Sequence, residues 1–188
     1  MRTVGIVQAR MGSQRLPGKV LQLLGGRTVL GWVVRAAQDS AALDDLAVAT
    51  TRQPEDDAVA AECQQLGVRC FRGPTDDVLS RFVGALDWLD WAGRRPADAV
   101  VRFSADNPLL DPALVALAVR TFAAVTGFDY LSTSLTRTLP LGLDVEIVGT
   151  AALRRAHAVA TGFHRTHVTS YVYCHPDEFR VLGLTLPP

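Results

Sequence analysis

Short apolar runs of strand length alternate along this chain with stretches whose apolar residues recur at helical spacing. That alternation is the pattern of βαβ units wound around a largely parallel sheet. Strands are predicted at residues 3–8, 46–50, 68–71 and 99–103. Between them, residues 29–38 and 76–91 carry a clear helical period, and residues 56–66 a weaker one. Asp111-Pro112 starts a further helix, the acid as N-cap and the proline at the first helical position, running to about Val125. Beyond it the pattern loosens. Residues 129–131 and 143–148 read as strands, Thr150 caps a helix to about Ala160, and residues 164–173 read as an amphipathic stretch. No repeat or linker interrupts the 188 residues, 48% of them hydrophobic, so one domain over 1–188 with its own core is expected.

Lys plus Arg equals Asp plus Glu at 19 each, so no net field draws the chain to nucleic acid or to an anionic membrane. Any recognition of phosphate must be local. No apolar run approaches the roughly 18–20 residues of a membrane span, and Met1-Arg2-Thr3 leads straight into a strand rather than a signal-peptide core. A cytoplasmic location is expected, with neither nucleic acid nor membrane as partner. Cys63, Cys70 and Cys174 are odd in number and form no C-x-x-C pair, which favours reduced, mostly buried thiols over a disulfide framework or a zinc site.

The first strand breaks into Arg10-Met11-Gly12-Ser13-Gln14-Arg15-Leu16-Pro17-Gly18-Lys19. Its three cations repel one another unless an anion neutralises them, and its glycines and proline fix an irregular backbone whose N–H groups can face phosphate. Arg10, Gly12, Ser13, Arg15 and Lys19 therefore form a candidate triphosphate loop at a strand's carboxyl end, where open α/β sheets bind ligands. Val20 follows Lys19 where a Walker A motif has its metal-holding Ser or Thr, so the metal ligand lies elsewhere. Asp106 is the candidate. It comes directly after the apolar run ending Val100-Val101-Arg102-Phe103 and supplies a hard oxygen suited to magnesium, a simple turn former being the competing reading.

Three weaker constellations follow. Thr75 or Asp76 caps the helix after Phe71-Arg72-Gly73-Pro74, with Arg72 and Arg81 flanking the cleft. Asp144 and Glu146 share one face of a predicted strand close to Arg137, an arrangement that suits a metal or a polar ligand, or else a solvated strand face. His164, Arg165 and His167 cluster as acceptor-site groups, while His157 and His175 receive no role. Residues 168–173 are rich in aromatic and β-branched side chains, and such a patch tends to be covered by a partner. A two-fold homodimer with Tyr171 and Tyr173 in its interface is expected, the alternative being that they pack into the subunit's own core.

Together, the segment from Val7 through Lys19 to Leu21, Ala49-Thr50-Thr51 with Asp56-Asp57, Phe71-Arg72-Gly73, Asp77-Val78-Leu79, Asp106-Asn107-Pro108-Leu109 and Gly142-Leu143-Asp144-Val145-Glu146 carry a family likeness. The chain resembles the spore-coat polysaccharide cytidylyltransferase-like (SpsF-like) family, relatives of CMP-Kdo and CMP-sialic acid synthetases, from Thr3 to about Phe179. The resemblance implies a three-layer α/β/α, Rossmann-like fold of the nucleotide-diphospho-sugar transferase type with a mostly parallel central sheet. It also implies a magnesium-dependent cytidylyltransferase of polysaccharide biosynthesis, in which an acceptor oxygen attacks the α-phosphate of CTP and pyrophosphate leaves. The acceptor it implies is a sugar acid or a related anion.

Carried over residue by residue, the resemblance puts Ala9 and Arg10 at the cytosine and phosphate site, Arg15 and Lys19 on the triphosphate, and Asp106 on magnesium. Thr75 and Asp77 fall near base and ribose. Asp144 and Glu146 face the acceptor, grouped with Arg137, Arg165 and His167; Arg10, Lys19 and Asp106 are the catalytic set. Two departures bear on the acceptor: Arg165-Thr166-His167-Val168-Thr169 stands where the family has Arg-Glu-His-Val-Thr, and Asp106-Asn107-Pro108 where it has Asp-Cys-Pro. The sequence ends at Pro187-Pro188, before the family segment whose aspartate completes the metal site, which makes Asp144 the expected second metal ligand. A phosphonate or sugar-phosphate acceptor, and a catalytically silent nucleotide- or partner-binding relative, are the alternative readings.

Overall fold

Val4 and Ile6 of the first strand, β1 (Thr3–Gln8), belong to one apolar core and Val7 to another, so this strand is covered on both faces. That is the environment in which strands read as continuous apolar runs rather than alternating ones. The structure, a computed structural model, describes residues 1–13, 15–93 and 95–185; Gln14 and the closing Pro187-Pro188 lie outside them.

Following β1 are β2 (Leu23–Leu24), β3 (Arg27–Thr28), β4 (Asp45–Thr51), β5 (Arg69–Gly73), β6 (Ala99–Ser104), β7 (Tyr130–Ser132), β8 (Glu146–Gly149) and β9 (Val181–Gly183). A seven-stranded sheet runs in the order β5-β4-β1-β6-β8-β7-β9. Its first four strands are parallel, β8 is antiparallel to both neighbours, and β9 is parallel to β7.

The helices are α1 (Val29–Asp39), α2 (Asp57–Gln65), α3 (Val78–Gly93), α4 (Pro112–Ala124), α5 (Thr150–Val159), α6 (Phe163–Thr166) and α7 (Ser170–Cys174). Leu30 and Val33 of α1, Val59 of α2 and Val115 and Phe122 of α4 pack with Val7, Val48 and Val101 on one face. Leu79, Phe82 and Leu86 of α3, Leu153 of α5 and Val172 of α7 pack with Ile6, Ala49 and Val100 on the other. The fold is thus the mostly parallel α/β/α arrangement the sequence implies. Among the described residues, no helix is long and apolar enough to cross a membrane.

Several local expectations are corrected. Asp77, not Thr75 or Asp76, caps α3: its Oδ1 accepts the Ser80 N–H at 2.8 Å. Thr150 does not cap α5 but is its first residue, and its hydroxyl donates to the Ala97 carbonyl at 2.8 Å. The strand expected over 143–148 begins only at Glu146, so Asp144 and Glu146 do not share a strand face. The stretch over 164–173 is two short helices, α6 and α7, rather than one amphipathic element. The β2–β3 hairpin was not anticipated; Gly25 and Gly26 turn it with φ of 59° and 84°, the positive pair that a tight two-residue hairpin demands.

Candidate active site

β1 and β6 run side by side with Gln8 opposite Ser104, so the loops leaving their carboxyl ends start together. The first loop folds back on one carbonyl: the N–H groups of Ser13 and Gly18 donate to Met11 O at 2.8 and 2.9 Å, and Gly18 holds a φ of 70° that a side chain would strain. Asp56, 1% exposed, anchors this loop by accepting the Met11 N–H at 2.7 Å and the Thr51 hydroxyl. A buried carboxylate thus fixes where the loop leaves the sheet.

Between the two loops lies a cleft of about 560 Å³ lined by Ala9, Arg10, Ser13, Arg15, Lys19 and Asp106, with Ser104, Thr166 and His167 completing its wall. The Lys19 ammonium donates to Asp106 Oδ2, and the Ser104 hydroxyl donates to Oδ1 at 2.5 Å. Partial burial pushes the Asp106 carboxyl up, but these two donors outweigh it and hold the group below the ordinary carboxylate range. Arg10 and Arg15 form no ion pair among the described residues, which leaves two uncompensated guanidinium groups around one paired lysine.

A second pocket of about 350 Å³ opens on the β7–β8 side, lined by Tyr130, Ser134, Glu146, Thr169 and Tyr173 and by Arg102 and His167. Glu146 is saturated with donors: Arg102 Nη1, the Tyr130 hydroxyl at 2.9 Å and the Thr169 hydroxyl at 2.5 Å. Burial, and after it the Glu146 charge, push the Tyr130 phenol up, so it keeps its proton and donates. His167 lines both pockets, its ring stacked on Phe163 with centroids 4.0 Å apart.

The other sequence candidates stand apart from these pockets. Gly12 sits in the loop beside Glu55 rather than on the cleft wall. The Thr75 hydroxyl accepts from Gln53 Nε2 at 3.3 Å. Asp77 takes the Nε and Nη2 of Arg165 at 2.9 and 2.6 Å, so these two candidates bind each other and tie α6 to the start of α3. Burial raises the Asp77 carboxyl, yet hydrogen bonds from Ser80 and Arg165 bring it below its ordinary value. Arg137 and Asp144 form an ion pair at 2.8 Å that lines neither pocket. Arg72, expected beside the cleft, is engaged by Asp57 at 2.5 Å and by the carbonyls of Thr51 and Gln53.

Two carboxylates were expected on the metal, but among the described residues only Asp106 reaches the main cleft. Among the described residues no three His, Cys, Asp or Glu side chains group closely enough to hold an ion by themselves. One carboxylate facing a cationic cleft suits a hard cation that takes its other ligands from phosphate oxygens and water, the usual manner of magnesium.

The model of the cytidylyltransferase family matches residues 4–187. The chain belongs to the cytidylyltransferase family. It is 35% identical over 190 residues to the spore coat polysaccharide biosynthesis protein SpsF of Bacillus subtilis, covering 97% of this chain and 74% of that one. Over 119 residues, 60% of this chain and 43% of the other, it is 34% identical to a 3-deoxy-manno-octulosonate cytidylyltransferase of Myxococcus xanthus. A solved cytidylyltransferase from Leptospira borgpetersenii superposes with a TM-score of 0.89 at 29% identity, covering all of this chain and 76% of that one. CTP-using transfer of CMP is the activity of this family.

Three residues of this cytidylyltransferase are not marked by the sequence. Arg102 sits inside the apolar run of β6, where a lone charge on a buried strand is itself a signal. Ser104, two residues before Asp106 at the end of β6, positions that carboxylate. Asp56 reads as the start of a helix but anchors the loop that follows β1. Arg81, expected beside the cleft, does line a recess that adjoins it, but buried, at 2% exposure.

Proposed function

We propose that this chain transfers CMP from CTP to a sugar acid or a related anionic acceptor and releases pyrophosphate, with magnesium as the metal. The observation that carries this reading is the cleft at the ends of β1 and β6 that Arg10, Arg15 and Lys19 line together with Asp106. A triphosphate is the anion whose charge matches three converging cations. The names of the relatives, one of spore coat polysaccharide biosynthesis and one acting on an eight-carbon sugar acid, support an acceptor of that class.

In this mechanism Arg10 and Arg15 hold phosphate charge, and Lys19 exchanges Asp106 for phosphate oxygens. Asp106 would hold the magnesium together with the triphosphate, and the ion, when bound, neutralises charge building on the phosphoryl oxygens and on departing pyrophosphate. The acceptor oxygen forms a bond to the α-phosphorus as the bond from that phosphorus to the α–β bridging oxygen breaks. His167, on the wall of both pockets, takes the acceptor's hydroxyl proton. Positioning and charge neutralisation supply the rate. A homodimer covering Tyr173, acting in the cytoplasm, completes the proposal.

The test is pyrophosphate release from CTP, UTP, ATP and GTP across a panel of sugar acids, sugar phosphates and phosphonates, with and without magnesium. Release is expected with CTP, magnesium and a sugar acid. Release that is indifferent to the nucleotide, or absent with every acceptor, overturns the reading.

A further inference from the structure

Arg81, in the first turn of α3, is 2% exposed and has no carboxylate partner among the described residues. Its Nη1 donates to the carbonyls of Pro74 and Thr75 at 2.6 and 3.3 Å, both uncharged, and its enclosed Nε–H has no acceptor. A guanidinium taken out of water without a counter-ion is costly, more so beside another cation. Burial, then repulsion from Arg10, push it down to about 10, with the charges of Asp56 and Asp77 opposing.

The side chain lines a recess of about 180 Å³ together with Arg10, Arg102 and His167. Arg102 is already neutralised by Glu146, so Arg10 and Arg81 carry the uncompensated charge. The recess shares Arg102 and His167 with the Glu146 pocket, and Gln8, Ala9, Arg10, Thr166 and His167 with the nucleotide cleft. It does not reach Ser13, Arg15 or Lys19. It therefore joins the two pockets without belonging to the phosphate loop's far end. The Glu146 pocket, for its part, offers hydroxyls and an ion pair already closed on itself, with no free cation for an anionic ligand.

We propose that the Arg81 recess is an anion subsite that holds the carboxylate, or an equivalent oxyanion, of the acceptor while the acceptor's hydroxyls occupy the Glu146 pocket. The proposal rests on the transfer reading above. A fork of guanidinium N–H groups selects a two-oxygen anion over a neutral sugar, and a charge buried in this way favours that anion more strongly than an exposed one.

The experiment is calorimetric titration of protein saturated with CMP, so that the nucleotide cleft is filled, using 3-deoxy-manno-octulosonate and gluconate as acids and glucose as the neutral probe. CTP affinity is measured separately. Both acids are expected to bind at least about tenfold more tightly than glucose, and Arg81→Met to weaken the acids by about tenfold or more with CTP affinity unchanged. Arg81→Lys keeps the charge and loses the fork; an intermediate loss is expected, and it decides the matter should Arg81→Met fail to fold. Equal binding of acids and glucose, no loss of acid binding in the variant, or a parallel loss of CTP affinity each overturns the subsite. Failure of the wild-type protein to bind CMP or CTP at all overturns the transfer reading instead.

Discussion

Lys19 and Asp106 hold each other across the cleft, ammonium to carboxylate, with the Ser104 hydroxyl on the second carboxylate oxygen. The group suited to phosphate and the group suited to a metal are thus each other's counter-ion until both ligands arrive. Each can then be removed with a different signature. Lys19→Ala is expected to weaken CTP binding with or without magnesium by about tenfold or more, because a point charge on the anion is lost. Asp106→Asn is expected to leave metal-free CTP binding intact or tighter, since Lys19 is released, while lowering pyrophosphate release on the order of a hundredfold to a thousandfold. Calorimetric titrations with and without magnesium that gave the same result for both variants would refute this division of roles.

Ligand linkage gives a second prediction. CTP with magnesium should raise the melting temperature more than ATP, GTP or UTP does, and at about a hundred times its dissociation constant it should add about 2.7 kcal/mol. Thermal unfolding with each nucleotide in turn is the measurement. Equal shifts for all four count against cytidine selectivity.

The Asp77–Arg165 clamp predicts a pH dependence. Hydrogen bonds from Ser80 and Arg165 hold the folded Asp77 carboxyl below its ordinary value of 3.8, so below that value the unfolded chain binds the proton more readily than the folded one. The resulting stability is present above the unfolded value and is lost as the pH falls through the folded one. Asp106, lowered by Lys19 and Ser104 against its burial, acts with the same sign. Asp77→Ala should therefore cost about 1 kcal/mol at neutral pH through the lost cap of α3, and the difference from wild type should shrink towards pH 3. Urea unfolding at the two pH values checks this; a difference that grows on acidification would contradict it.

The sheet and the cleft at the ends of β1 and β6 were legible because both are written locally. β1 and β6 are apolar runs covered on both faces, and the phosphate loop declares itself by three cations within one irregular segment. What could not be read depends on contacts between distant parts of the chain. Asp77 and Arg165 are 88 residues apart, and nothing local in either says that they meet. Arg102 and Glu146 pair across β6 and β8, an antiparallel neighbour that the βαβ pattern does not announce. Asp144 was misplaced for a simpler reason: Gly142, at a φ of 97°, turns the chain, and the ladder starts two residues after the acid. The β7–β8 side of the site is built from such late crossings, and for that reason it was the least legible part.

The expected homodimer can now be tested with finer resolution than the sequence allowed. Val168 and Val172 are buried in the core that α3 and α5 share, so these members of the aromatic and β-branched stretch belong to the subunit itself. Tyr171 stacks on His175 with centroids 4.0 Å apart and meets Phe179 edge-on at 6.0 Å, which also ties it inward. Tyr173 is different: it is 38% exposed, lines the Glu146 pocket and touches Tyr130, with Phe163 exposed elsewhere on the α6 side. A second copy covering Tyr173 would bury apolar surface and wall off the acceptor pocket. Tyr173→Ser is therefore expected to dissociate the dimer while the monomer keeps its melting temperature. Tyr171→Ser should instead lower stability, by about 0.5–1.5 kcal/mol for its aromatic contacts in addition to lost burial, in monomer and dimer alike. Light scattering of the wild-type protein at micromolar concentration comes first, and a monomer there ends the dimer proposal. If a dimer is found but survives Tyr173→Ser, the interface lies on another face of the subunit.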